Sequence, residues 1–183
     1  MKKTVFNNKA IHLIISLGML TLSTTVSAHA SLDQDTADAD SSYQGAMMIT
    51  HGCDGSPTIS VSIRIPNEVK RVKPMAKAGW TVETTMETLA EPYEVHGSTI
   101  TEEIREITWT GGSLSDDLYD AFMFRGTLPE TEQELSLYFL TVQKCENGEF
   151  HRWIDVPEAG KSSEDLEKPA PTLKVMPVEE HHH

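Results

Sequence analysis

The strongest pattern in the chain is an alternation of apolar and polar side chains that is typical of β-strands. In residues 58–65 (TISVSIRI) every second side chain is apolar, which predicts a strand with one face in a core and the other in solvent. Residues 135–142 (LSLYFLTV) are apolar on both faces, which predicts a central strand. Shorter candidates are residues 104–109, 119–128 and 150–156. The pattern therefore predicts a chain built almost entirely of β-structure.

Turn-forming residues separate these segments at intervals of roughly ten residues, a spacing that indicates a β-sandwich or barrel. Asn147-Gly148 is a strong hairpin signal, because both residues tolerate the positive φ that a type I′ turn requires. His96, followed by Gly97, is most simply a turn residue. With 183 residues, the chain is long enough for one domain or for two very small ones.

The first 28 residues have the features of a secretory signal peptide. Three lysines among the first nine residues precede a mostly apolar run at residues 11–22, and residues 26–28 (VSA) offer the small side chains that signal peptidase requires. The apolar run is too short for a membrane anchor, since a spanning helix needs about 20 residues. We therefore predict cleavage after Ala28 and an exported protein, located in the periplasm or at the cell surface.

The charge balance is strongly acidic. The chain has 15 basic and 28 acidic residues, and removal of the three signal-peptide lysines leaves a net charge of 12 − 28 = −16. Binding to a nucleic-acid backbone needs clustered lysine and arginine, so nucleic acid is excluded as a partner. No second apolar run of spanning length follows, so we predict no transmembrane anchor in the mature chain.

The two cysteines predict a disulfide. In an oxidising compartment, Cys53 and Cys145 are expected to form one bond that closes a loop of 92 sequence steps. In the chain-entropy description such a bond stabilises the fold by about 4–5 kcal/mol. A thiolate metal pair is the alternative.

Cleavage after Ala28 would make His29 the first residue of the mature protein. An N-terminal histidine offers its α-amino nitrogen and its Nδ1 to one metal ion, and both nitrogens deprotonate near neutral pH. This close pair of nitrogens favours Cu(II) over the other common divalent ions. The alternative is that His29 is only a polar residue at a frayed N-terminus.

Several short motifs are informative because of their joint order and spacing. They are residues 28–30 (AHA), 51–55 (HGCDG), 64–66 (RIP), 72–75 (VKPM), 79–80 (GW), 107–112 (ITWTGG), 137–139 (LYF), 143–146 (QKCE), 152–154 (RWI) and 169–171 (PAP). Together they resemble the YcnI-like (YncI) copper-binding domain family of exported bacterial β-sandwich proteins. The resemblance implies one antiparallel immunoglobulin- or cupredoxin-like β-sandwich of roughly seven or more strands. It would span residues 29–175, between the signal peptide at 1–28 and a disordered, histidine-ending tail at 176–183.

The resemblance also implies a single-histidine copper brace. In that site the amine and imidazole of the first residue bind Cu(II), a carboxylate completes the coordination, and a tryptophan lies close to the metal. The histidine corresponds to His29 and the tryptophan to Trp153. The strand pattern places Trp153 with His151 and Asp155 on the side opposite Phe150, where an indole is free to wall a site.

The carboxylate is where this sequence departs from the family pattern. Members related to the Gram-positive prototype carry a glutamate at about the position of Gly52, and here it is missing. His51 or Asp54 could fill the vacant coordination position, and an imidazole still suits Cu(II). His151 and Asp155 are further candidates.

A Cu(I) site of methionines is a weaker alternative. The methionines that could form it lack M-x-M or M-x-x-M clustering, so we expect them to be core-filling residues. They are Met47, Met48, Met75 and Met123.

The predicted function is Cu(II) binding for copper storage, delivery or tolerance. The expected partners are the copper ion and other periplasmic or membrane copper-handling proteins. The motifs G-x-S-x-G and H-E-x-x-H and a glycine-rich phosphate loop are absent from the sequence, so we do not expect an enzyme. Two alternatives stay open: a metal-free immunoglobulin-like interaction module, and a copper-dependent oxidative enzyme with His51 as its second histidine.

Overall fold

A computed structural model describes residues 30–163 and 166–178 of the chain. The predicted signal peptide, His29 and residues 179–183 of the predicted tail lie outside these ranges. The described residues form strands β1 Ser31–Leu32, β2 Thr36–Asp38, β3 Ser42–Ile49, β4 Thr58–Arg64, β5 Lys70–Pro74, β6 Thr81–Val95, β7 Ser98–Leu114, β8 Asp120–Thr127, β9 Leu135–Tyr138, β10 Thr141–Cys145, β11 Phe150–Trp153 and β12 Thr172–Met176. The described ranges contain no helix with the length and apolar character needed to cross a membrane.

The strands form three sheets. A four-stranded sheet has the order β1-β3-β8-β5, and a five-stranded sheet has the order β11-β10-β4-β7-β6. A smaller sheet has the order β2-β12-β9, in which the pair of β12 and β2 is parallel while β12 and β9 are antiparallel. The prediction of an antiparallel β-sandwich is confirmed.

The core is rich in aromatic side chains from the inward faces of the larger sheets. Met47 and Ile49 of β3, like Val61 and Ile63 of β4, are fully or almost fully buried, as strand alternation requires. The ring centroids of Trp109 and Phe122 lie 5.6 Å apart in an edge arrangement. Burial of one such side chain stabilises a fold by roughly 1.5–3 kcal/mol, so these layers dominate its stability.

The prediction of one central strand at residues 135–142 is wrong. The chain forms β9 in the small sheet, turns at Phe139 and Leu140, and enters β10 in the five-stranded sheet. Phe139 is fully buried at this crossing, and its backbone N–H donates to the carbonyl of Pro171 at 2.8 Å. The segment is apolar on both faces because it passes from one sheet to another.

The disulfide between Cys53 and Cys145 is confirmed. The Cα atoms of the two residues lie 6.0 Å apart, and both residues are fully buried. The bond joins the connection after β3 to the last residue of β10. It therefore links the four-stranded sheet to the five-stranded sheet at one end of the molecule.

Strands β6 and β7 form a hairpin that continues past the rest of its sheet. Residues 106–110 of β7 lie between β4 and β6, whereas residues 98–104 pair only with β6. We call residues 86–104 the arm. Its turn is formed by His96 and Gly97, both with positive φ, which confirms the prediction of a turn at His96.

Candidate metal centre

The structure brings His51, His151 and Trp153 together at the disulfide end of the molecule. The ring centroids of His51 and His151 lie 6.3 Å apart, and those of His151 and Trp153 lie 5.7 Å apart, both in edge arrangements. His151 and Trp153 alternate along β11 and therefore share one face of the strand. We call these three residues the histidine–tryptophan cluster.

Gln143 fixes the position of His51 relative to β11. Gln143 lies opposite His151 in the pairing of β10 and β11 and is fully buried. Its Nε2 donates to the backbone carbonyl of His51 at 2.8 Å and to Oγ1 of Thr58 at 2.5 Å. A buried side-chain amide that bonds to two elements restrains both. Its Oε1 is buried and has no hydrogen-bond partner in the described part of the chain.

The His51 ring has one nitrogen engaged by neighbouring oxygen atoms. Its Nδ1 lies 2.5 Å from the carbonyl oxygen of Gly52 and 4.0 Å from Oδ1 of Asp116. In the tautomer in which Nδ1 carries the proton, it donates to the Gly52 carbonyl and leaves the lone pair of Nε2 free. Metal-binding histidines commonly hold their second nitrogen in this way.

Asp116, in the connection between β7 and β8, is a site residue that sequence reasoning missed. A Cβ atom at Gly52 would lie 3.0 Å from Oδ1 of Asp116 and would clash with the carbonyl oxygen of Ser56. Backbone hydrogen bonds of 2.9 Å in both directions between Cys53 and Ser56 fix that carbonyl. Asp116 thus brings a carboxylate beside the position where the family glutamate would begin. The sequence gives no signal that Asp116 belongs to the site, because Asp116 is far from Gly52 along the chain and lies in an ordinary acidic loop.

The other carboxylate candidates lie in different surroundings. Asp54 is exposed and forms a two-residue turn with Gly55, both with positive φ. Asp155 accepts the backbone N–H of Lys168 at 3.1 Å through Oδ2, and its backbone carbonyl accepts the N–H of Ala170. Asp155 therefore ties the chain after β11 to the segment that leads into β12.

Trp153 belongs to the core as well as to the cluster. It is only 6% exposed and packs in the main hydrophobic cluster, with the His151 ring against it. The opposite side of the chain faces solvent here: Phe150 on β11, and Ile154 and Val156 beyond its end, are each about 40% exposed. Trp153 is consequently a rigid, apolar wall beside the two histidines.

The described chain begins at the same end of the molecule. Ser31 pairs with Met48 in the antiparallel β1–β3 ladder, so the chain before Ser31 is directed toward the end of β3 that leads to His51. Ala30, the first described residue, is already buried. His29 itself lies outside the described residues.

The described residues alone do not make a complete metal site. Over residues 30–163 and 166–178 there is no group of three or more histidine, cysteine, aspartate or glutamate side chains that could hold a metal ion. The donor types that do meet here, two imidazoles with a carboxylate nearby, suit a borderline cation such as Cu(II). They would need a further ligand to complete its coordination.

The methionines divide between core and surface. Met47 is fully buried, as the core-filling interpretation predicts, but Met75 is 56% exposed, so that interpretation is wrong for Met75. Its backbone N–H donates to the carbonyl of Met123 on β8, so it borders the four-stranded sheet.

The architecture defines an immunoglobulin-like β domain, and a solved structure supports this class. An uncharacterized protein from Nocardia farcinica with an immunoglobulin-like fold aligns with a TM-score of 0.60 and 19% identity over 82% of this chain and 99% of that chain. A type II cohesin domain from the cellulosome of Acetivibrio cellulolyticus aligns with a TM-score of 0.37 and 13% identity over 80% of this chain and 95% of that one.

The chain belongs to the family described as "Domain of unknown function (DUF1775)", whose pattern matches residues 29–175. This is the YcnI-like family that the sequence motifs indicate. No curated protein matches the chain significantly.

Proposed function

We propose that the protein is exported and binds Cu(II) as cargo, through the amine and imidazole of a mature N-terminal His29, for copper storage, delivery or tolerance. The observation that supports this most directly is the register of β1 and β3, which directs the start of the described chain toward His51. The described residues lack a third ligand, and in this proposal the N-terminal residue supplies it.

The neighbouring residues have distinct roles in this proposal. His51 provides Nε2, since its Nδ1 is engaged by the Gly52 carbonyl. Asp116 orients the His51 ring and contributes negative charge, and His151 is the second imidazole of the cluster. Trp153 excludes water from one side. Gln143 holds the His51 backbone, and its unpaired Oε1 is an acceptor that favours a polar or cationic group nearby.

The test asks separately whether the N-terminal amine and whether the imidazoles bind the copper ion. The starting protein begins at His29 and lacks residues 181–183, because histidines in the tail bind copper themselves. Cu(II) is added under isothermal titration calorimetry, and electron paramagnetic resonance counts the coordinated nitrogens. We expect one Cu(II) per chain, quenching of tryptophan fluorescence, and nitrogen couplings from the amine and from more than one imidazole.

The matched control carries one extra alanine before His29, which retains every side chain but moves the amine. We expect at least tenfold weaker binding in this control and in His29→Ala, and loss of one imidazole coupling in His51→Ala. Unchanged stoichiometry and affinity in both N-terminal variants would refute the brace. An unchanged spectrum in His51→Ala would remove His51 from the site and make His151 the next ligand to test.

The second candidate is a metal-free immunoglobulin-like interaction module. It is favoured by the absence of a complete metal-binding group within the described ranges. It predicts that Cu(II) binds no more tightly to the protein that begins at His29 than to the alanine-extended control.

A further inference from the structure

A cleft separates the arm from the edge of the four-stranded sheet, far from the histidine–tryptophan cluster in the fold. Its volume is about 430 Å³. One wall is formed by β5 and β8, and the other by Tyr93, Val95 and Ile100 of the arm. This volume falls in the range of small-molecule sites.

The charges in the cleft are opposite to those of the whole molecule. Arg71, Lys73 and Arg125 all line it, although the mature chain is strongly acidic. Lys73 and Arg125 lie directly opposite each other in the β5–β8 ladder, an arrangement in which like charges destabilise the pairing. Among the described residues, none of the three forms a salt bridge with a carboxylate. A bound anion would relieve this repulsion.

A β-bulge adds Arg71 to this pair. The register of β5 against β8 shifts between Lys70 and Lys73, and Arg71 has a φ of 56°, which is unusual for a bulky side chain. Its backbone N–H donates to Oε1 of Glu103 at 2.8 Å. Bulges often re-aim a side chain beside a functional site. Here the bulge places the Arg71 side chain in the wall of the cleft.

Two carboxylates, Glu102 and Glu103, also line the cleft and leave the three cations in excess by 3 − 2 = 1 charge. Glu103 is 5% exposed, and its Oε1 accepts hydrogen bonds from the Arg71 backbone and from the Tyr93 hydroxyl, so it anchors the bulge to the arm. Glu102 is exposed at the rim. Val72, Val95 and Ile100 supply an apolar surface beside the cations.

We propose that this cleft binds a small organic anion, with its carboxylate or phosphate group between Arg71, Lys73 and Arg125 and its apolar part against Val95 and Ile100. Arginine and lysine suit either anionic group, because arginine offers a planar set of donors and lysine a point charge. The proposal concerns the copper-free protein and stands or falls independently of copper binding.

The test measures binding of succinate and of inorganic phosphate to the copper-free mature protein by isothermal titration calorimetry, at constant ionic strength held with sodium chloride. The triple variant R71Q/K73Q/R125Q is compared with a matched control, K144Q/K168Q/K174Q, which loses the same charge from three exposed lysines elsewhere. We expect binding to wild type and to the control, and at least tenfold weaker binding to the cleft variant. Glu102→Gln should strengthen binding, because it removes a negative charge from the rim.

Binding of succinate alone assigns the cleft to carboxylates, and binding of phosphate alone assigns it to phosphorylated ligands. The proposal is overturned if neither anion binds wild type, or if the control loses as much affinity as the cleft variant. Circular dichroism of each variant, compared with wild type, verifies that the sandwich is folded.

Discussion

The two ends of this sandwich are stabilised in different ways. At the histidine end, the short strands β10 and β11 are held by the buried disulfide, by Gln143 and by the packing of Trp153 in the core. The arm consists of two strands that pair with each other and contain two register shifts. It is anchored by a few polar contacts, among them Glu103 with the backbone N–H of Arg71 and the Arg64–Glu87 ion pair, while the hydrogen bond of Tyr93 to Glu103 joins its two strands.

The difference matches what each end is proposed to do. Cu(II) requires donors held in one geometry, and covalent and core contacts provide that rigidity. An anion between exposed arginine and lysine side chains tolerates a less rigid wall, because long side chains can adjust to it. The comparison therefore predicts that perturbations at the histidine end change global stability, whereas perturbations of the arm have smaller and more local effects.

The largest effect is expected from removing the disulfide. The double variant C53S/C145S should lose about 4–5 kcal/mol of unfolding free energy, because a loop of 92 residues is no longer closed in the unfolded chain. Urea denaturation followed by tryptophan fluorescence measures this loss. Hydrogen exchange should show more protection lost in β10 and β11 than in the arm. Equal losses at both ends, or a change below about 1 kcal/mol, would contradict the comparison.

A smaller loss of stability is expected when the glutamate of the family pattern is introduced at position 52. Gly52→Glu should cost about 3 kcal/mol, because its Cβ has no room beside the Ser56 carbonyl and Asp116. It should not tighten Cu(II) binding, since the Cys53–Ser56 bridge would have to open first. Thermal unfolding and Cu(II) titration measure the two effects. The matched control is Asp54→Asn at the exposed turn, which should leave stability unchanged because asparagine tolerates the positive φ at this position. A stable, tighter-binding Gly52→Glu protein would show that this loop can rearrange.

The smallest effect is expected at the arm, from Tyr93→Phe. Burial and the hydrogen bond to Glu103 raise the pKa of Tyr93 to about 12 from its ordinary value of 10.0. Because the folded-state pKa is raised, the stability from this hydroxyl is fully present below pH 10 and is lost as the pH rises through about 12. Tyr93→Phe should therefore cost about 1 kcal/mol at neutral pH, and its difference from wild type should vanish near pH 12.

Thermal unfolding of wild type and variant across this pH range measures the difference, and the other tyrosines cancel in the comparison. Absorbance at about 295 nm follows phenolate formation directly. A difference that is constant across the pH range would mean that the Tyr93–Glu103 hydrogen bond does not stabilise the arm.

Local sequence patterns predicted the parts of this fold in which apolar side chains recur at a regular interval. The alternation at residues 58–65 corresponds to β4, and the two cysteines, together with the expectation of an oxidising compartment, predicted the disulfide. The arm has no such pattern, because most of its side chains remain exposed and polar. The crossing at Phe139 was missed because a segment buried in two sheets has the same composition as one central strand.

The candidate sites depend on register, which one sequence does not reveal. His51 and Trp153 were found through motifs and through the expectation of a metal at residue 29. Asp116 and the Lys73–Arg125 pair were not, since their neighbours come from distant strands. A missing glutamate at Gly52 suggested a vacant ligand position, but only the packed loop shows why a side chain is excluded there.

The position of β12 has a consequence for the order of folding. This last strand lies between β2 and β9, and its parallel pairing with β2 joins Thr36 to Lys174 across most of the chain. The small sheet therefore cannot close until β12 has left the ribosome. Contacts of such long sequence separation slow folding, to milliseconds or seconds in β-rich domains. During synthesis, β2 and β9 lack their shared partner, so the small sheet forms only after β12 is available to pair with both.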